Sequence, residues 1–169
     1  MERFAISTIV DEETEIFLKL QEFVERDGLI TVSKIKRLRH GRNSQVFLIE
    51  DESKKWVVKK YHQHPKDLRN RLENETLFLS YLKDIGVQRV AEPIAVDNKN
   101  NLGLFSYLPG VVPKSINKDI LHQAAEFIRL INVSRKRKKA KNLPEASETS
   151  FSVISHLNLV KHRVKRLNQ

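Results

Sequence analysis

The sequence contains no cysteine, so disulfides and thiolate metal sites are excluded. A chain without cysteine suits a reducing compartment, and the cytoplasm is the expected location. No apolar run approaches the roughly 20 residues that a membrane span needs. The opening stretch MERFAISTIVDEETE has no basic start followed by a long apolar segment, so no signal peptide is expected. There is no internal repeat and no low-complexity block. His62 and His64 lie two apart with no third ligand evident, so no metal site is expected.

What is present is a chain of 169 residues, long enough for one domain or one and a half. The formal net charge is +10, unevenly spread. Residues 1–30 carry three basic and eight acidic groups, residues 31–116 carry 16 and 9, and residues 117–169 carry 12 and 4. A basic balance attracts anions in general, whether nucleic acid, anionic lipid or nucleotide phosphate.

Residues 12–27 predict a helix with Ile16, Leu20, Phe23 and Val24 on one stripe and Gly28 as its stop. Three short β-type runs follow, TVSKIKRLRH, QVFLIED and KKWVVKKYH, separated by GRNS and ESK. That spacing suits antiparallel strands joined by tight turns. A helix is expected from about Pro65 to Lys83, striped by Leu68, Leu72, Glu75, Leu79 and Leu82. EPIAVDNKNNLGLFSYL reads as two strands around a turn, and LPG at 108–110 as a breaker. A helix capped by Asn117 spans 117–132, SRKRKKAKNLPEASE is a polar linker, and 150–167 is a last amphipathic helix. The expected fold is α+β: a five-stranded antiparallel sheet with one inserted helix and a helical C-terminal extension. The expected divisions are an N-terminal helical segment (1–30), a sheet-bearing lobe (31–110) and the extension (111–169).

Two residues break the apolar pattern in a way that points to chemistry. Side chains alternate along a strand, so Val57, Lys59 and Tyr61 share one face and Trp56, Val58 and Lys60 the other. If Trp56 and Val58 face the core helix, Lys59 points across the opposite face. Glu75 sits among leucines on the inserted helix, where a carboxylate is costly unless paired. Lys59 is the obvious partner. The bland alternatives are a solvent-reaching Lys59 and a Glu75 paired with Arg71 at i−4. Glu73, the competing carboxylate, lies off the leucine stripe. Trp56 and Tyr61 read as strand packing.

The strings HGRNSQVFLIED, WVVKKYH, RLENETLFLSYLKDIGVQRVAEPIAV and LGLFSYLPG resemble, in that order, the N-terminal lobe of the aminoglycoside phosphotransferase (phosphotransferase enzyme) family, which has a protein-kinase-like fold. The likeness covers roughly residues 33–132 well and continues more weakly beyond. It implies an ATP-binding lobe, with magnesium in a complete enzyme. It assigns Gly41, Asn43 and Ser44 to the phosphate-covering turn, Lys59 to the α/β-phosphates and Glu75 to the ion pair that holds the lysine. It makes Phe105 the residue before the hinge and Ser106, Tyr107 and Leu108 the backbone segment facing adenine. Val46 and Val57 would touch the adenine ring.

The family's catalytic-loop and metal-binding aspartates have no counterpart here. None of the six histidines is followed two residues later by aspartate, and the last of seven aspartates is Asp119. From Ile120 onward the carboxylates are Glu126, Glu145 and Glu148. No catalytic residue is therefore assigned. The resemblance implies a nucleotide-lobe half that cannot transfer phosphate alone, its partner a C-terminal lobe or a second chain. A rival reading rests on SRKRKKAKN (134–142), whose six cations suit a non-catalytic module binding nucleic acid or a protein partner, or a nuclear address. No aromatic residue is interleaved there, so such binding would be phosphate-driven and salt-sensitive.

Overall fold

The structure, a computed structural model, describes residues 12–40, 44–63, 69–133, 138–144, 150 and 152–167. The chain begins with α1 (Glu12–Glu25) and a 3-10 turn (Arg26–Gly28), then runs through β1 (Lys34–His40), β2 (Ser44–Glu50) and β3 (Lys55–Tyr61). After α2 (Arg71–Asp84) come β4 (Pro93–Asp97) and β5 (Leu102–Ser106). The remainder is helical: α3 (Lys118–Val133), a 3-10 helix (Lys138–Asn142) and α4 (Val153–Leu167).

The five strands form one antiparallel sheet in the order β1-β2-β3-β5-β4. The expected α+β architecture, with one helix inserted after the third strand, is what forms. The β2–β3 hairpin closes on Asp51, whose Oδ1 accepts from the backbone N–H groups of Ser53 and Lys54, each at 2.6 Å. A short acidic side chain that bonds the backbone two and three residues on is the usual means of holding such a turn.

One sheet face packs on α1. Ile16, Leu20, Phe23 and Val24 of the helix join Phe47, Ile49, Val58, Leu102 and Leu104 in a single buried cluster. The 3.6-residue stripe of α1 meets the two-residue alternation of β2, β3 and β5, which is why the sequence patterns are so clean here. Phe17 meets Phe47 edge-on, with centroids 6.1 Å apart. Each fully buried large side chain in this layer stabilises by about 1.5–3 kcal/mol. Lys59 is on the other face, as the alternation predicts.

The start of α2 differs from expectation. Residues 69 and 70 are non-helical and the helix begins at Arg71, not near Pro65; Pro65 and Leu68 lie outside the described residues. Asn70 is the cap. Its Oδ1 accepts from the Glu73 N–H at 3.1 Å, and its Nδ2 donates to Glu73 Oε2 at 2.9 Å. The reciprocal bond across three residues outweighs the first-turn preference of a proline further upstream. Asn117 caps α3 as expected, accepting from the Ile120 N–H at 3.0 Å.

The polar linker is partly structured. Ala140 and Leu143 pack against Tyr81, Leu82 and Val87, beside Phe127 and Ile131 of α3. Lys139 donates to Asp84 at 2.6 Å. No helix among the described residues is long and apolar enough to cross a membrane.

Candidate functional site

The pairing register of β3 builds the site. Lys59 stands opposite Val46 on β2 and Gly103 on β5; Val57 stands between Leu48 and Phe105. Directly paired residues share a face, so Val46, Val57, Lys59, Gly103 and Phe105 form one patch. Val46 and Val57 are half-buried, whereas Phe105 is buried. The Lys59 ammonium lies 5.4 Å from the Phe105 ring centroid, within range of a cation–π attraction.

α2 crosses this face. Leu72, one turn before Glu75, reaches so close to β5 that a Cβ on Gly103 would sit 2.9 Å from Leu72 Cδ1 and 2.7 Å from the Phe105 ring. Glycine at 103 is therefore what lets the helix, the ring and the strand share this space. The close approach brings Glu75 onto β3. Its Oε1 accepts from Lys59 Nζ and its Oε2 accepts from Tyr61 Oη at 2.8 Å. The solvent-reaching alternative for Lys59 does not occur. Both charges are partly shielded, Lys59 being 29% and Glu75 33% exposed. A pair in this position is screened less than a surface pair, whose typical value is only about 0–1 kcal/mol.

Tyr61 reads from the sequence as strand packing, and it is buried, but its hydroxyl is also the second donor to Glu75. Burial, then the Glu75 charge and then the hydrogen bond to it, push the Tyr61 hydroxyl above its ordinary pKa. It therefore remains a proton donor throughout the physiological range. The available signal was its position two residues after Lys59, on the same strand face.

Of the other expected positions, Gly41 and Asn43 lie outside the described residues. Ser44 opens β2, half-buried and opposite Tyr61. Phe105 and Ser106 end β5, and Tyr107 and Leu108 follow as exposed irregular backbone. Ser106 is tied to the segment before β4: its N–H donates to the Glu92 carbonyl at 2.9 Å, and its Oγ accepts from the Glu92 N–H at 2.8 Å. The Ser106 N–H is thus committed within the protein.

A cavity of about 850 Å³ opens elsewhere, at the N-terminal end of α2, between Tyr61, Arg71, Glu73, Thr76, Val96 and Asn98. Neither Lys59 nor Phe105 lines it. The charge pair, rather than this cavity, defines the candidate site. Among the described residues, no group of three or more His, Cys, Asp or Glu is placed to hold a metal ion.

Residues 34–151 match the phosphotransferase enzyme family. The chain belongs to that family. The matched span takes in all five strands, α2 and α3, and leaves α1 and α4 outside. No curated protein matches the chain. Membership makes this a kinase-like phosphotransferase domain.

Proposed function

We propose that this phosphotransferase-family lobe binds ATP, with Lys59 on the α/β-phosphates and Glu75 holding Lys59 in place. The observation that carries the reading is the pairing of a strand lysine with a helix carboxylate over 16 residues of sequence, beside a half-buried apolar patch. A partly shielded ammonium fixed by one carboxylate keeps donors free for a phosphate oxygen, since lysine has three. Val46 and Val57 offer an apolar surface for a purine ring. With the Ser106 N–H already bonded to Glu92, a backbone donor to adenine comes from Tyr107 or Leu108. The turn containing Gly41, Asn43 and Ser44 would cover the phosphates.

The pair suits a nucleotide's phosphates, and among the described residues no cluster of His, Cys, Asp or Glu is placed to hold a magnesium ion. Magnesium enters this reading only with the phosphates. In a complete family enzyme the γ-phosphoryl group passes to a hydroxyl acceptor. In this chain Glu126 is bonded to Arg129 at 3.0 Å, Glu145 and Glu148 lie outside the described residues, and no aspartate follows Asp119. In this reading the lobe supplies the nucleotide contacts, and the base and metal ligands of transfer would come from a C-terminal lobe or a second chain.

Thermal unfolding of the full chain with and without ATP·Mg tests the reading. At a hundredfold excess over Kd, binding stabilises by about 2.7 kcal/mol, a shift of roughly 5–10 °C for a chain of this size. Lys59→Ala abolishes the shift. A wild-type melting temperature indifferent to ATP·Mg, or an undiminished shift in Lys59→Ala, refutes it.

A further inference from the structure

We propose that Tyr61 is a positioning residue: its hydroxyl holds the second oxygen of Glu75 and so keeps the Lys59–Glu75 pair assembled before any nucleotide arrives. The role deepens the nucleotide reading and rests on it for its function, although the holding of the pair can be tested without nucleotide.

A carboxylate with one bonded oxygen can rotate about its terminal torsion, which is broad. Glu75 lies on the second turn of α2 and is a third exposed, so solvent competes for its free oxygen. Tyr61 removes that freedom. Lys59 and Tyr61 are two apart on β3 and so present their side chains to the same face. They grip the two oxygens separately, Lys59 on Oε1 and Tyr61 on Oε2. The tyrosine cannot easily turn away. It is only 7% exposed, its strand is bonded on both sides, and its own N–H donates to the Asn101 carbonyl at 3.0 Å. A rigid aromatic side chain with two torsions sets the carboxylate in one orientation at small entropic cost, and the carboxylate in turn sets the flexible lysine. Because the hydroxyl stays protonated, the grip does not change across physiological pH.

Tyr61→Phe keeps the ring and removes the donor, so the fold is preserved while the grip is lost. Two readouts on the full chain separate the claims. The first is the ammonium proton signal of Lys59 in cold solution without nucleotide, visible only if the amine is held long enough to slow exchange with water. It is present in the wild type and broadened away in Tyr61→Phe. A signal already absent in the wild type, or one that persists unchanged in Tyr61→Phe, overturns the inference. The second is affinity for ATP·Mg against adenosine. Tyr61→Phe weakens ATP about fivefold to tenfold, the scale of a hydrogen bond to a charged acceptor, and leaves adenosine unchanged. Equal losses for both ligands would mark Tyr61 as merely structural and also overturn it. If the wild type binds no ATP while the ammonium signal still depends on the hydroxyl, the nucleotide reading fails and the hold of Tyr61 on the pair stands.

Discussion

Asp97 is only 6% exposed yet ionised, because four donors surround it. It accepts from the Lys99 N–H at 3.0 Å, the Asn100 N–H at 3.1 Å, Asn100 Nδ2 at 2.9 Å and an Arg26 guanidinium nitrogen at 3.4 Å. Burial pushes the carboxyl up. The Asn100 side-chain and backbone bonds, the Arg26 charge and the Lys99 N–H together outweigh burial and hold it below the ordinary value. A lowered folded pKa means that the unfolded chain takes up the proton first. The stabilisation is complete above the unfolded value, about 3.9, and drains away as pH falls through the lower folded one. Asp97→Asn should cost about 1–3 kcal/mol at neutral pH and flatten the acid limb of the stability curve. Urea midpoints at neutral pH and at about pH 3 check this; the gap between the two proteins should be narrower at the lower pH. An equal gap at both would show that the carboxylate charge contributes nothing.

At the scale of elements, α2 shows how a helix end is chosen. With the Asn70 and Glu73 side chains bonded to each other and the Glu73 N–H satisfied, the first turn needs no help from upstream residues. Asn70→Ala should destabilise by about 1 kcal/mol and Asn70→Gly by only a few tenths. Amide exchange should speed up selectively in the first turn of α2; uniform acceleration along the helix would point instead to lost packing. The helix end was legible in the letters, since Asn-x-x-Glu is a cap signature, but Pro65 offered a competing start and drew the boundary upstream. Strands fared better: Phe47 and Ile49 alternate with a period of two and pack with Ile16, Leu20 and Phe23, which are spaced as one helix stripe. Lys59 and Glu75 were legible because each violates its own apolar run. Tyr61 was not, because a tyrosine in a strand looks like packing until α2 arrives to give its hydroxyl a partner. Gly103 was hidden likewise: its need is set by Leu72 and Phe105, which come from other stretches of chain.

Across the whole molecule, α2 is gripped near both ends, and the two grips differ physically. Toward its start, Glu75 is bonded to β3. Toward its end, Tyr81 and Leu82 are packed by Phe127 and Ile131 of α3 and by Ala140 and Leu143, with Lys139 bonded to Asp84 at the rim. Among the described residues, Ala140 and Leu143 thus touch the helix that carries Glu75 through apolar contacts and Lys139 through an ionic one. Lys139 and Asp84 are 72% and 52% exposed, so their attraction is worth at most about 1 kcal/mol and is screened by salt. Lys139 also adds to a chain of net charge +10, so removing it relieves some repulsion and reduces the loss further. Leu143 is half-buried, and truncating it forfeits part of the usual cost of a buried leucine, about 1–2 kcal/mol, by a mechanism that salt does not weaken. Leu143→Ala should therefore destabilise more than Lys139→Ala. The first loss should be the same at low salt and at about 0.5 M, where the second should vanish. Urea unfolding of both variants at the two salt concentrations decides it: a larger or salt-resistant loss for Lys139→Ala would mean that charge, not apolar contact, fastens the basic segment to α2.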